Sequence, residues 1–391
     1  MADQEKPYKV YRGGRAKGPI RPPLGEKRDG RGTLGRDRQP AQPKPPKRRR
    51  RLGPGRALAF FLLGLVLLTA VWTALGVLAI RRGVGAANDR LDDRAKSTLA
   101  PSGSILTNPV TTLVIGADNG GRIKERQGAG RADSLILLRT DPDEHRLSYL
   151  HIPRDLYVPI PGHGNDRVNA GFALGGAALE IETVEALTGL SVNHVVVVNF
   201  GSFREVVDAL GGITIDNPQP VLSKFECPFK GAERCSTFKG WRFAKGELEL
   251  DGRRALIYAR IRKNDLNPGE SDITRGERGQ RVIDAIQGEV VGVSGFLRMP
   301  RIGDDVVKPL ATDLSTGELL QLAWVRRRSA GEKTLRCRLG GTPAAIGGAA
   351  VLQSSEDNPL IVSMFKGESA PQRPRAGQLF SPGCFVGAVR R

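Results

Sequence analysis

Arginine and aspartate recur where a chain of alternating strands and helices would turn. Asp118 follows a short apolar run that ends near Gly116. Arg131 and Asp133 precede a second run. Arg154 and Asp155 follow a third, in Ile152-Pro153-Arg154-Asp155. Loops at strand ends form the binding crevice of an α/β sheet, so these side chains can share one rim. Arg260 and Arg262 stand two apart and would point the same way if extended. Arg275 and Arg278 fall in the first turn of a predicted helix, in line with Val282 and Ile286 on a stripe that must face inward. A guanidinium directed inward requires a partner, and a helix N-terminus favours an anion. Two answers stay open. Acidic side chains of the protein would satisfy these arginines. So would a phosphate or pyrophosphate, whose oxygens match a guanidinium bidentately. The carboxylates divide in the same way. Beside a polyphosphate, Asp118 and Asp133 would hold Mg²⁺, a hard cation that takes oxygen ligands; otherwise they cap loops or pair with the arginines.

Other chemistries lack their residues. The chain has no G-x-x-x-x-G-K-[ST] loop, no strand-placed G-x-G-x-x-G and no G-x-S-x-G elbow. His145, His151, His163 and His194 lack the spacing of a metal-binding helix, and His194, which opens an apolar strand, reads as structural. Cys227 and Cys235 lie eight apart in a loop-like stretch, and Cys337 and Cys384 bracket the C-terminal region. Neither pair is a C-x-x-C, which argues against zinc and thioredoxin-type chemistry. Two disulfides are the expectation outside a reducing compartment, with a free catalytic cysteine as the alternative.

The elements that must position these residues alternate between two periods. Thr111–Gly116, Ser134–Arg139 and Arg146–Ile152 read as strands, the last two forming a hairpin across Asp141-Pro142-Asp143. Asn169–Thr188 repeats apolar residues at helical spacing and stops at Gly189. His194–Phe200 reads as a buried strand, Ser202–Leu210 as a helix capped by Ser202, and Ile213–Ile215 as a strand. Asp251–Tyr258 and Arg275–Val290 read as helices. The alternation predicts an α/β fold, a mixed central sheet flanked by helices in an α-β-α sandwich. Past about residue 295, frequent Gly and Pro weaken the pattern. Residues 295–391 are expected to be an extension with a small appendage over 335–391, closed by Cys337 and Cys384.

Ahead of this domain, residues 57–80 contain no charged side chain, and roughly 20 apolar residues span a bilayer core. The run is too long and too far inside the chain for a signal peptide. It is expected to be a single transmembrane helix, followed by a stalk over 81–110 and the catalytic domain over 111–294. Of the net charge of +19, the first 56 residues carry +13, in a segment rich in Pro, Gly, Arg and Lys that reads as a disordered tail. The cluster Lys47–Arg51 with Arg56 outweighs Arg81 and Arg82, which places the tail in the cytoplasm and residues 81–391 outside. The tail can meet anionic lipid headgroups; without interleaved aromatics it gives no expectation of nucleic-acid binding.

Seven stretches together resemble the LytR-CpsA-Psr family over about residues 110–290. They are Val114-Ile115-Gly116-Ala117-Asp118, Arg131-Ala132-Asp133-Ser134, Ile152-Pro153-Arg154-Asp155, Arg167-Val168-Asn169-Ala170, Val207-Asp208-Ala209-Leu210-Gly211-Gly212, Tyr258-Ala259-Arg260-Ile261-Arg262 and Arg275-Gly276-Glu277-Arg278. The tail and single span ahead of the domain are also similar to this family. The resemblance implies an enzyme at the outer membrane face. Such an enzyme transfers a glycopolymer phosphate from a polyprenyl-pyrophosphate carrier to a peptidoglycan hydroxyl. It implies that Asp118 and Asp133 bind Mg²⁺, that Arg131, Arg154, Arg260, Arg262, Arg275 and Arg278 grip the pyrophosphate, and that Gln280 assists. It further implies a hydrophobic tunnel for the lipid tail. The competing expectations are a pyrophosphatase that uses water as acceptor at the same site, and a non-enzymatic membrane-tethered regulator.

Overall fold

The computed structural model of the chain describes residues 54–118, 130–229, 231–267, 272–329, 334–375, 378 and 380–387; the side chains of 272–275 lie outside that set. A long apolar helix, α1 (Pro54–Asn88), covers the charge-free run, and α2 (Asp93–Thr98) follows. Strands β1 (Val110–Ala117), β2 (Ala132–Asp141) and β3 (Arg146–Ile152) form an antiparallel meander. The hairpin expected between the second and third runs is present, with Leu137 opposite Leu150. A small hairpin, β4 (Leu156–Ile160) and β5 (Gly164–Arg167), leads into α3 (Ala170–Thr188). Strand β6 (His194–Asn199) then runs parallel to β1, and α4 (Phe200–Ala209) follows it directly.

A β-rich excursion comes next: β7 (Ile213–Asn217), β8 (Val221–Ser223), a short α5 (Ala232–Ser236), β9 (Trp241–Phe243) and β10 (Gly246–Leu250). In it β7 pairs with β10 and β8 with β9. Helices α6 (Gly252–Arg260), α7 (Asp272–Val291) and α8 (Val293–Val307) lead to the two-residue β11 (Ala311–Thr312) and α9 (Thr316–Arg328). The chain closes with β12 (Thr334–Arg338), β13 (Gly341–Ile346), β14 (Ala349–Ser354), α10 (Asn358–Lys366) and β15 (Gly383–Val386).

Seven strands form the central mixed sheet, in the order β11-β6-β1-β2-β3-β12-β15. Alternation along each strand decides which layer a residue meets. Leu113, Ile115, Leu135 and Leu150 pack with Phe172 and Ile181 of α3 and with Phe365 of α10. Val114, Ile136 and Tyr149 face the other way, toward Ile283 of α7 and Val325 of α9. Helices therefore cover both faces, and the expected α-β-α sandwich is the observed architecture.

Three local expectations are corrected. The strand expected through Phe200 stops at Asn199, whose side-chain Oδ1 accepts the Ser202 N–H at 2.8 Å. Asn199, not Ser202, is therefore the N-cap, because its short side chain reaches the N–H three residues on. The helix over 170–188 is not continuous. Gly175 and Gly176 leave helical geometry, Gly176 at φ 65°, a conformation open to glycine at little cost, and the chain kinks there. Residues 334–387 are not an appendage: β12 pairs in parallel with β3, β15 pairs with β12, and Leu335, Cys337, Leu339 and Phe365 join the main core. Both expected disulfides are present, Cys227–Cys235 and Cys337–Cys384.

Candidate functional site

Strand direction gathers the acidic and basic residues at one edge of the sheet. Because β1 and β6 are parallel and β2 is antiparallel to β1 and β3, the C-terminal ends of β1, β3 and β6 lie beside the N-terminal start of β2. Asp118 leaves β1 there. Its N–H donates to the Arg131 carbonyl at 3.0 Å, and its Oδ1 accepts the Arg131 N–H at 2.6 Å. Pairing then slips by one residue: Gly116 faces Ser134 and Ala117 faces Ala132, so Asp133 is the extra residue of a bulge. A bulge re-aims the side chain it inserts. Here it sends the Asp133 carboxylate to Arg154, at the end of β3, whose Nη1 donates to it at 2.6 Å. Arg154 Nε also donates to Asp155 at 3.3 Å, and Asp155 lies 3.8 Å from Arg167. The four groups form a half-buried chain of alternating charge.

Arg260 reaches the same edge from another element. Helix α6 is capped by Asp251, whose Oδ1 accepts the Arg254 N–H at 2.7 Å, and is held against α4 by Asp208, which accepts the Gly252 N–H at 2.8 Å. A side chain at Gly252 would collide with the α4 backbone at Arg204. This seating directs the last residue of α6, Arg260, over the ring of Phe200, with 3.9 Å from guanidinium carbon to ring centroid. Phe225 lies 5.1 Å away, and Arg260 pairs with Glu226. Phe200 directly follows β6, so this cation–π contact ties the α6 terminus to the sheet edge. Arg278, on α7, is 2% exposed and donates from Nη2 to the Ile261 carbonyl, the residue just past α6.

The remaining expected residues fall as follows. Arg131 is exposed at the edge. Arg262 is exposed just beyond α6; because Arg260 is helical, the two do not form an extended pair. Gln280 is half-buried on α7. Arg275 lies in α7 by its backbone, and its side chain is outside the described residues. Sequence reasoning did not single out Phe200, Phe225, Glu226 or Arg167 for the site. Arg167 stands within one of the seven matching stretches, whereas Glu226, beside Cys227, carries no pattern of its own. It also passed over Glu180, a fully buried carboxyl on α3 whose pKa burial pushes up to about 8 from an ordinary 4.5.

Among the described residues no group of three His, Cys, Asp or Glu side chains forms a metal cage. Asp118 and Asp133 supply two carboxylates from neighbouring strand ends, each using Oδ1 in the contacts above. Mg²⁺ bound through one or two carboxylates plus substrate phosphates needs no larger protein set, so the donors present fit that ion.

The LytR_cpsA_psr family model matches residues 77–359. The chain belongs to this family. Polyisoprenyl-teichoic acid–peptidoglycan teichoic acid transferase TagU of Oceanobacillus iheyensis is 30% identical over 277 residues, covering 67% of this chain and 79% of its own. The enzyme of the same name from Bacillus subtilis strain 168 is 32% identical over 254 residues, covering 64% and 74%. Among solved structures, Bacillus subtilis TagV superposes with a TM-score of 0.55 at 25% identity, covering 66% of this chain and 96% of TagV. TagT bound to LIIa-WTA gives 0.53 at 24%, covering 69% and 94%. The central sheet and its flanking helices are thus the fold of this family, here joined to one helix long and apolar enough to anchor the chain in a membrane.

Proposed function

We propose that this chain is a membrane-anchored transferase that moves a glycopolymer phosphate from a polyprenyl-pyrophosphate carrier to a peptidoglycan hydroxyl. The observation that carries this reading is the convergence of Asp118, Asp133, Arg154 and Arg260 from four separate elements on one sheet edge, in a chain of this family. The relatives' names supply the polymer class, teichoic acid or a similar anionic glycan. The basic flank before α1 supports a cytoplasmic N-terminus with the sheet domain outside.

In the reaction the acceptor oxygen bonds to the sugar-linked phosphorus, and the bond from that phosphorus to the bridging oxygen breaks. Polyprenyl phosphate leaves with the bonding pair. The hydroxyl proton passes to a rim carboxylate or a phosphate oxygen. Negative charge grows on the bridging oxygen, and fixed cations aimed at it lower the barrier without reorganising. Arg260 is pre-set for this by its two aromatic neighbours and Glu226. Arg154, held between Asp133 and Asp155, presents its guanidinium at the same edge. Arg278 positions Arg260 by bracing the end of α6, and exposed Arg131 and Arg262 meet the outer phosphate oxygens. Asp118 and Asp133 would hold Mg²⁺, which supplies charge neutralisation at the phosphates when bound.

Incubating full-length protein in detergent with a polyprenyl-pyrophosphate-linked glycan and peptidoglycan tests this. Mass spectrometry is expected to find a glycan–phosphate–peptidoglycan conjugate and polyprenyl phosphate, lost with EDTA and restored by Mg²⁺. Arg260→Ala should lower the rate by about a hundredfold or more, the scale of losing one preorganised transition-state donor. Release of glycan phosphate with no conjugate would replace the transferase with a hydrolase; unchanged turnover by Arg260→Ala would remove the proposed site.

A further inference from the structure

The helix that anchors the chain does not run alone through its charge-free stretch. Helix α8 lies along it in the same direction. The indole N–H of Trp72 donates to the Phe296 carbonyl at 3.2 Å, Met299 sits on Gly76, Gly303 packs on Ala79 and Ile80, and Asp304 and Val307 meet Gly83. Glycines on both helices allow this approach: a Cβ at Gly83 would come within 2.8 Å of the Asp304 carbonyl oxygen. The start of α8 is therefore the end nearest the middle of the span. Trp72 lies eight residues before Ile80, the last of the charge-free run, which is about 12 Å along a helix. A bilayer core is only ~30 Å thick. Whatever touches Trp72 is then well inside the leaflet on the domain's side.

The corner between α7 and α8 has the chemistry for that place. From Val290 to Leu297 it carries no charged residue. Val293 is 69% exposed, Leu297 57%, Phe296 43% and Val290 40%, on a surface continuous with the exposed apolar side chains of α1. The two charges that flank the corner neutralise each other: Arg298 lies 3.5 Å from Glu289, which also accepts the Ser294 hydroxyl at 2.9 Å. Arg298 further donates to the Leu210 carbonyl at 2.7 Å. A water-facing corner would gain nothing from displaying these apolar groups while its two flanking charges pair with each other. The next cation, exposed Arg301, stands one turn nearer the aqueous end, where a long side chain reaches the headgroups.

We infer that the α7–α8 corner is a second membrane-embedded element, a wedge of Val290, Val293, Phe296 and Leu297 sunk among the lipid acyl chains of the leaflet nearest the catalytic domain. This rests on residues 57–80 being the membrane span. Its consequence concerns α7, which carries Arg278 near one end and this wedge at the other. The wedge fixes the height and tilt of the arginine-bearing helix over the membrane that supplies a lipid-linked substrate.

All four cysteines are in disulfides, so an introduced cysteine is the only free thiol. Full-length protein is placed in nanodiscs of equal parts phosphatidylethanolamine and phosphatidylglycerol, with a nitroxide at Val293→Cys or Leu297→Cys. Leu65→Cys, on α1, serves as lipid control and Glu247→Cys, exposed on β10, as aqueous control. Power-saturation EPR is expected to show both corner sites behaving like Leu65→Cys, with severalfold lower collision with a water-soluble nickel chelate than Glu247→Cys and higher collision with oxygen. Corner sites as open to nickel as Glu247→Cys, with Leu65→Cys in lipid, would overturn the wedge alone. Leu65→Cys in water as well would overturn the span and the wedge together.

Discussion

Arg154 shows how one guanidinium can answer both expectations raised by the sequence. It is satisfied within the protein by Asp133 and Asp155, and that pairing holds it at the edge where a phosphate would bind. Removing it leaves Asp133 without its cation and Asp155 with Arg167 alone, so Arg154→Ala is expected to reduce transfer and loosen the edge. Glu180 makes a different prediction. It is fully buried on α3 beneath Gly171, no side-chain donor reaches its oxygens among the described residues, and burial raises its pKa to about 8 while the nearby Phe172 N–H offsets only part of that. Between its ordinary pKa of 4.5 and about 8, the folded protein keeps a proton that the unfolded chain has released. Stability from this group therefore falls as pH rises through that window, by roughly a few kcal/mol at most. Glu180→Gln, which removes the titration and keeps the shape, should raise the melting temperature by several degrees at pH 8 and much less at pH 5. Calorimetry in detergent at the two pH values checks this, and an equal shift at both would contradict it.

At the scale of elements, the two disulfides hold different things. Cys337 and Cys384 face each other across β12 and β15, buried in the main core beside Leu150 of β3. Cys227–Cys235 closes a short, largely exposed loop whose neighbour, Glu226, pairs with Arg260. By loop-closure entropy the first is worth about 4 kcal/mol and the second about 2.5. The first loss acts on the whole sheet and the second on one loop. Cys337→Ser with Cys384→Ser should lower the melting temperature markedly. Cys227→Ser with Cys235→Ser should lower the melting temperature by a smaller amount and raise KM for the lipid-linked donor, read by thermal melts and initial rates on the same preparations. The short β-type apolar runs of β1 to β3 and β6 and the helically spaced apolar residues of α3 made these elements readable from the sequence. The Asp133 bulge, the kink at Gly176 and the Asn199 cap were not, since each depends on a neighbour fixed only in three dimensions.

For the molecule as a whole, the same limit explains why the C-terminal residues misread as an appendage. Gly340-Gly341 and Gly347-Gly348 break the local pattern, and nothing local reveals that Thr334 will align with Leu147 nearly two hundred positions earlier. Such long-range parallel pairing is set by the exposed edge of β3, which the hydrophobic pattern of β12 alone does not announce. Sheet closure therefore belongs to the last fifty-odd residues, and the site, built on the C-terminal ends of β1, β3 and β6, depends on them at a distance. Truncating the chain after Ser329 removes β12, α10 and β15, strips Leu335, Cys337, Leu339 and Phe365 from the core and leaves β3 as an apolar edge. Removing residues 1–53 takes only the basic flank, where the site has no residue. The C-terminal truncation is expected to aggregate on detergent extraction and to lose transfer entirely; the N-terminal one should run as a monodisperse particle on size-exclusion chromatography and retain turnover. A soluble, active C-terminal truncation would mean that the sheet closes without β12, and that the site is supported by the meander and β6 alone.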